Sequence, residues 1–259
     1  MEKPSRRGGG YRPPARGRPV DVLGCALPED RLYDLEQGVW WQPEQEDGTA
    51  RLGLLATVAS FAGPFRELTF RSVDGPLARG RSIATVESAR YTGAVRLPVD
   101  GVVVDRNAAV RERPRLLNDR PYSEGWIARV RPLRTPLPSG VLAPAAEVRV
   151  RLEEEIRARR IRCWPLTPEV ELREVGIECT AVLVRLNEEL ARRAPGEALL
   201  LVTDDPTSPI EMVRWSDRTG HAVLAHRTDG PFHQFLVEKL EHPVPRPRGP
   251  TGAREPPPV

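Results

Sequence analysis

Residues 170–190, VELREVGIECTAVLVRLNEEL, determine how the second half of this chain folds. Apolar and charged residues alternate over 170–175, which predicts a strand, and Gly176 ends that pattern. The apolar residues of the next segment share one face of a helix over 180–193: Val182, Leu183, Leu186 and Leu190. The stretch therefore predicts a strand, a short turn and a helix, with Cys179 at or just before the start of the helix.

The segments that follow complete a small domain over residues 168–241. Strand-like and helix-like patterns alternate there, with turn residues between them. The predicted elements are a strand at 198–202, a helix at 210–219 that ends at Gly220, and strands at 222–225 and 232–237. The order βαβαββ predicts a two-layer α+β sandwich in which both helices cover one face of a single sheet.

The first half of the chain has a different pattern, over residues 20–131. Short runs rich in Val, Ile and Leu, as at 50–55 and 82–86, are separated by Gly, Pro and Asp. This pattern predicts an all-β domain made of many short strands. Residues 132–167 are predicted to form a proline-rich linker that contains a short amphipathic helix at 147–160.

The composition is typical of a soluble globular protein, with 39% hydrophobic and 29% charged residues. No apolar run is long enough to cross a membrane, and the start of the chain has no secretory apolar region, so we expect a cytoplasmic protein. Residues 1–19 are basic and residues 242–259 are rich in proline, and both are expected to be disordered tails. The formal net charge of +3, without a basic stripe, argues against nucleic-acid binding.

Lysine and cysteine are both scarce, which limits the possible chemistry. Of 39 basic residues, only Lys3 and Lys239 are lysines. The three cysteines, Cys25, Cys163 and Cys179, form no CxxC pair and no Cys/His cluster, so the sequence predicts no metal site. Covalent chemistry would therefore have to use a single thiol.

A set of short motifs in the first domain resembles the glycine cleavage H-protein family. They are Gly24-Cys25-Ala26-Leu27-Pro28-Glu29-Asp30, Tyr33-Asp34, Val39-Trp40, Val86-Glu87-Ser88, Pro98 with Gly101, Asn107, Asn118-Asp119-Arg120-Pro121-Tyr122 and Gly125-Trp126. The resemblance covers about residues 21–130. It implies a flattened β-sandwich of the lipoyl type, in which a lysine at a hairpin tip carries lipoate between enzymes.

The carrier lysine of that family is replaced here. The family motif is Glu-Ser-x-Lys, whereas Glu87-Ser88-Ala89 is followed by Arg90, and Pro98 keeps the expected spacing. Lipoate is attached to a deprotonated amine, but a guanidinium with a pKa above ~12 stays protonated. The family's histidine is also absent, with Gly38 in its place. We therefore expect no lipoate and a domain that serves as a scaffold, either for docking to a partner or for orienting the second domain, although general replacement of lysine by arginine is another origin for Arg90.

Cys179 is the candidate nucleophile of the second domain. Unpaired backbone N–H groups at a helix N-terminus favour an anion, so the pKa of this thiol is expected to be lowered. The neighbouring Glu178 would oppose that effect, and Arg185 would partly offset Glu178. A helix-capping or buried cysteine without chemistry is the alternative interpretation.

The second domain resembles the TusA/SirA-type sulfur carriers over residues 168–240. The shared motifs are Gly176-Ile177-Glu178-Cys179, Pro195-Gly196-Glu197, Asp204-Asp205-Pro206, and Trp215 ahead of Thr219-Gly220-His221. The resemblance implies that Cys179 carries sulfur as a persulfide and that Arg185 matches a basic position on the same helix. The family's Cys-Pro-x-Pro is Cys179-Thr180-Ala181-Val182 here, which puts the presentation of the thiol to its usual partners in doubt.

Together these features predict a sulfur-relay protein, at most a sulfurtransferase-type carrier, that uses Cys179 and no bound cofactor. Its partners would be sulfur-donor and sulfur-acceptor proteins, with others docking on the lipoyl-type domain. Two alternatives stay open: a non-catalytic interaction or assembly protein, and an H-protein-like component of glycine cleavage or a related lipoate pathway.

Overall fold

A computed structural model describes residues 19–44 and 46–245 of the chain. The fold divides into two compact units, Met1–Arg162 and Cys163–Val259. The disordered tails predicted from sequence lie outside the described residues, apart from residue 19 and residues 242–245. No helix in the described part is long and apolar enough to cross a membrane. The cytoplasmic location and the finer domain boundaries stay predictions.

The first unit is built mainly of short strands. They are β1 Val20–Val22, β2 Cys25–Leu27, β3 Leu32–Asp34, β4 Val39–Pro43, β5 Ala50–Leu54, β6 Phe65–Phe70, β7 Ser82–Ser88, β8 Thr92–Arg96, β9 Gly101–Arg106, β10 Trp126–Pro132 and β11 Ala143–Pro144. A six-stranded sheet has the order β11-β3-β4-β5-β10-β9, and a three-stranded sheet has the order β6-β7-β8. Strands β1 and β2 form a separate pair.

One apolar core joins the two larger sheets. Its buried members come from both, including Leu52 and Ile127 of the six-stranded sheet and Phe65, Val86 and Val95 of the three-stranded sheet. Burying side chains of this kind contributes about 1.5–3 kcal/mol each. This arrangement confirms the predicted flattened β-sandwich.

Four helices interrupt the strands of this unit, and sequence analysis predicted one of them. They are α1 Ala56–Ala62, α2 Ala108–Glu112, α3 Leu116–Asp119 and α4 Ala145–Arg159. The helix predicted at 147–160 is α4, which begins two residues earlier than expected. The other three were missed because four to seven residues span two turns or fewer, too short for a helical period to appear.

The second unit has the βαβαββ order predicted for it. Its elements are β12 Pro168–Glu174, α5 Cys179–Ala191, β13 Ala198–Thr203, α6 Ser208–Thr219, β14 Ala222–Asp229 and β15 Phe232–Glu238. The sheet order is β12-β13-β15-β14, in which β12 and β13 are parallel and the other neighbours are antiparallel. Because β12 and β13 are parallel, their carboxyl ends meet at one edge, and the segments leading into α5 and α6 both start there.

The two helices cover the same face of this sheet. Leu186 of α5 and Trp215 of α6 share a buried cluster with Leu199, Leu201 and Phe235 of the sheet. The opposite face contributes a second, smaller cluster of Ala198, Ala225 and Leu236, against which Trp164 and Leu166 pack. The predicted two-layer α+β domain is confirmed, with strands that extend up to four residues beyond their predicted ends.

Candidate functional sites

Arg90 lies in the turn that joins β7 to β8. The backbone N–H of Ser88 donates to the carbonyl of Tyr91 at 2.8 Å and closes this turn. The side chain of Ser88 is also held, because its Oγ donates to the carbonyl of Ala62 at 2.7 Å. The turn is therefore tied to the end of helix α1, which is 26 residues away in the chain.

The guanidinium of Arg90 binds the same helix end. Its Nε donates to the carbonyl of Ala62 and its Nη2 to the carbonyl of Ser60, each at 3.3 Å. The last carbonyls of a helix lack partners within the helix and carry partial negative charge, so a cation there is favourable. Arg90 is solvent-exposed, so this interaction is worth at most about 1 kcal/mol.

Gly38, which stands where the resembled family has histidine, lies in a tight contact. Its φ is +66°, a conformation that favours glycine, and an added Cβ would lie 2.8 Å from Cγ2 of Val58 in α1. A larger residue at position 38 would therefore have a strained backbone and would require the Val58 side chain to move. The two departures from the family motif, at residues 38 and 90, both contact helix α1.

Cys179 is the first residue of helix α5, as expected, and its side chain is partly exposed. Among the described residues it is the cysteine with a free thiol. Its own backbone N–H donates to Oδ2 of Asp205 at 2.9 Å, while the N–H of Gly176 donates to Oδ1 of Asp204 at 2.8 Å. The loop after β13 thus supplies two carboxylates to the segment that presents Cys179.

The pKa of the Cys179 thiol is raised, not lowered as the sequence suggested. Burial has the largest effect, followed by the negative charges of Asp205 and Glu211, whereas Arg218 lowers the pKa. Asp205 itself is held ionised, since hydrogen bonds from Thr207 lower its pKa. A carboxylate thus caps the helix N-terminus that was expected to stabilise a thiolate.

Arg185 forms an ion pair with Glu174. Its Nη1 lies 2.7 Å from Oε2 of Glu174, whose side chain is only 5% exposed. Arg185 is not among the charged groups with the largest effects on the pKa of Cys179. It therefore balances a buried carboxylate at the end of β12, and its assignment to a carrier site stays a prediction.

Sequence analysis missed the side chains that surround the thiol from other elements. Asp205 and Glu211 belong to the loop and helix after β13, and an electrostatic interaction with His233 of β15 lowers the pKa of Asp205. His233 Nδ1 lies 3.1 Å from Nε2 of His226 on the neighbouring strand. The parallel pairing of β12 and β13 was the available signal for Asp205, since it brings 174–179 and 203–208 to one edge.

No group of three or more His, Cys, Asp or Glu side chains in the described residues is arranged to hold a metal ion. In the second unit, Cys179 presents a free thiol whose pKa responds to Asp205, Glu211 and Arg218. In the first unit, the tip of the β7–β8 hairpin presents a guanidinium and no amine.

Comparisons with known proteins identify both units. The family model described as glycine cleavage H-protein matches residues 31–154, and the model described as sulfurtransferase TusA matches residues 173–239. Glycine cleavage system H protein 5 of Aquifex aeolicus is 35% identical over 148 residues, which cover 56% of this chain and 99% of that protein. A probable glycine cleavage system H protein 3 of Saccharolobus solfataricus is 32% identical, over 53% of this chain and 97% of its own length.

Among solved structures, a glycine cleavage system H protein from Mycobacterium marinum matches 49% of this chain and 98% of its own, with a TM-score of 0.43 and 25% identity. The Aquifex relative and the two family models together account for both units. This chain therefore belongs to the glycine cleavage H-protein family, and its H-protein domain is followed in sequence by a sulfur-carrier domain of the TusA type.

Proposed function

We propose that this protein relays sulfane sulfur as a persulfide on Cys179, while its H-protein domain carries no lipoate and serves as a docking scaffold. The observation that supports the relay most directly is the position of Cys179. It is a free, partly exposed thiol on the first residue of α5, inside the segment that matches the sulfur-carrier family. A carrier cysteine needs this exposure because it must meet a donor protein and then an acceptor protein.

The transfer itself is a balanced exchange between two sulfur centres. The thiolate of Cys179 attacks the outer sulfur of a donor persulfide, so a new S–S bond forms on Cys179 and the S–S bond of the donor breaks. The electron pair of the broken bond leaves on the donor thiolate, which takes up a proton. Passing the sulfur to an acceptor thiolate reverses these steps at Cys179, so no external oxidant or reductant is consumed.

The raised pKa of Cys179 makes this transfer dependent on pH and on the partner. Near neutral pH most molecules have Cys179 in its thiol form, since burial and the charges of Asp205 and Glu211 disfavour the thiolate. A donor surface that brings positive charge to this edge would lower the pKa and favour sulfur uptake. We therefore propose that the donor protein presents basic groups next to Cys179.

The absence of lipoate rests on position 90. Lipoate does not fit the residues present there, because Arg90 offers a guanidinium that stays protonated and that is hydrogen-bonded to the end of α1. Neither lysine of the chain, Lys3 or Lys239, stands in the Glu87-Ser88-Ala89 motif, and Lys239 belongs to the second unit. We propose that the sandwich of the H-protein domain is the surface on which partner proteins dock.

The test of the relay is an intact-mass measurement after incubation of the full chain with an inorganic polysulfide as donor. We expect the wild type to gain the mass of one or more sulfur atoms and to lose it again on treatment with a thiol reductant. The Cys179→Ser variant removes only the nucleophile and should gain none. Equal sulfur gain by wild type and variant, or none by the wild type, would contradict the proposal.

A further inference from the structure

The first unit has a cluster of three arginines at the end of the β7–β8 hairpin that is opposite to Arg90. A depression of about 250 Å³ on the β6-β7-β8 sheet is lined by Arg71, Gly80, Arg81, Ser82, Ala94 and Arg96. Ser82 begins β7 and pairs with Arg96, which ends β8. The depression is therefore at the open end of the β7–β8 hairpin, whereas Arg90 is at its closed end.

Two of the three guanidiniums are oriented by neutral partners. Nε of Arg71 donates to Oγ of Ser82 at 3.1 Å, and this Oγ donates in turn to the carbonyl of Ala84 at 3.1 Å. Nη1 of Arg96 donates to the carbonyl of Gly80 at 2.9 Å. These bonds fix each side chain through one nitrogen, while the other N–H groups of both guanidiniums remain available.

Within the part of the chain that the structure describes, no ion pair balances the charge of the cluster. No carboxylate lines the depression, and within residues 19–44 and 46–245 none of the three arginines forms an ion pair. The neighbouring Arg79 shows the contrast, because its Nη2 lies 2.9 Å from Glu36 and 3.5 Å from Asp34. Three cations around one concave surface create a local positive potential that attracts an anion.

We propose that Arg71, Arg81 and Arg96 form a binding site for a phosphate group, either free inorganic phosphate or the phosphate of a small phosphomonoester. Guanidiniums bind phosphate oxygens with paired, charge-assisted hydrogen bonds, and the fixed arginines Arg71 and Arg96 lose little freedom on binding. The volume is below the roughly 300 Å³ at which pockets for drug-sized ligands begin, so it suits one phosphate group. This site is independent of the sulfur relay proposed for Cys179.

The test is a titration of the ¹⁵N-labelled full chain with inorganic phosphate, followed by amide chemical shifts at constant ionic strength set with sodium chloride. We expect saturable shifts at residues 80–82 and 94–96. In Arg96→Gln the apparent Kd should rise by about fivefold or more, the effect of losing one charge-assisted pair. The control Arg66→Gln removes an exposed arginine of the same sheet that lies outside the depression, and its Kd should match the wild type.

A second variant protects the test against misfolding. Arg81 lines the depression and its side chain makes no hydrogen bond among the described contacts, so Arg81→Gln removes charge and leaves the backbone hydrogen bonds of residue 81 in place. Both Gln variants must keep the wild-type amide spectrum outside the site.

A titration with phenyl phosphate in place of inorganic phosphate distinguishes the two possible ligands, free phosphate and a phosphomonoester. A lower Kd for phenyl phosphate assigns a phosphomonoester. Linear shifts without saturation, or equal Kd values in Arg81→Gln and Arg66→Gln, would overturn the proposal.

Discussion

The two candidate carrier positions of this chain, Arg90 in the H-protein domain and Cys179 in the TusA-type domain, are held in opposite ways. At Arg90 the side chain is engaged, since its guanidinium donates to two carbonyls at the end of α1. At Cys179 the backbone is engaged, since its N–H donates to Asp205, while the thiol is free. A side chain that has to carry a group must keep its reactive atom unbound. By that criterion position 179 meets the requirement and position 90 does not.

Restoring the missing amine at the hairpin tip should have the largest effect. We expect no modification of the wild type by a lipoate–protein ligase with its substrates, and detectable lipoyl attachment to Arg90→Lys, because a lysine amine can lose its proton and attack. Intact mass and peptide mapping measure the change. Arg66→Lys, a new lysine on the same sheet, is the matched control and should stay unmodified. Labelled wild type, or an unlabelled Arg90→Lys, would break the comparison.

Removing the carboxylate that caps α5 should have the next largest effect. In Asp205→Asn the negative charge is lost while an amide oxygen remains to accept a hydrogen bond, so the pKa of Cys179 should fall and the thiolate fraction at pH 7 should rise. We expect alkylation of Cys179 to be about two- to fivefold faster at pH 7, which corresponds to less than 1 kcal/mol from one partly solvated charge. Rates measured from pH 6 to 10 should give a profile moved to lower pH.

The control for that variant is Glu188→Gln, which removes an exposed negative charge from the same helix, away from the thiol. Its alkylation profile should overlay that of the wild type. If both variants or neither changed the profile, Asp205 would have no specific influence on Cys179.

Arg218 should act on the same thiol with the opposite sign. Its positive charge lowers the pKa of Cys179, so Arg218→Gln should raise that pKa and slow alkylation at pH 7. Because Arg218 has the smallest effect among the groups that act on the pKa, we expect a change of about twofold or less. The same alkylation assay measures it, and faster alkylation of Arg218→Gln would contradict the electrostatic account.

The smallest expected effect is on the stability of the hairpin tip. Arg90→Ala removes the two hydrogen bonds to α1 and should lower the free energy of unfolding by about 0.3–1 kcal/mol, the usual value for a cation at an exposed helix C-terminus. Urea unfolding measures this change, with Arg66→Ala as the control. A loss of several kcal/mol would mean that Arg90 supports the sandwich itself.

Much of the fold was predictable, because local patterns determine it. The alternation at 170–175 and the helical period from Val182 to Leu190 gave the order of the second unit correctly. Helices α1 to α3 were missed because they are too short to show a period. Since α1 was missed, the partner of Arg90 was missed with it.

The electrostatics of the site around Cys179 were harder to predict from the sequence. From sequence, the N–H groups at the start of the helix were expected to lower the pKa of Cys179, with Glu178 opposing that effect and Arg185 partly offsetting Glu178. Burial raises this pKa the most, and the two carboxylates that raise it further, Asp205 and Glu211, follow the next parallel strand and are more than 25 residues away in the chain. A contact of that range depends on strand pairing, which local periodicity does not report. Arg185 is not among the groups with the largest effects on this pKa, and its ion-pair partner Glu174 belongs to a different element, which local periodicity does not report either.

The most direct test of the account treats both positions in one sample. The full chain is incubated with a sulfane-sulfur donor and, in parallel, with a lipoate–protein ligase and its substrates, and each modification is then located by peptide mass mapping. The account predicts sulfur on the peptide that contains Cys179 and no modification on the peptide that contains Arg90. Lipoate at any site in the H-protein domain, or sulfur that does not map to Cys179, would contradict it.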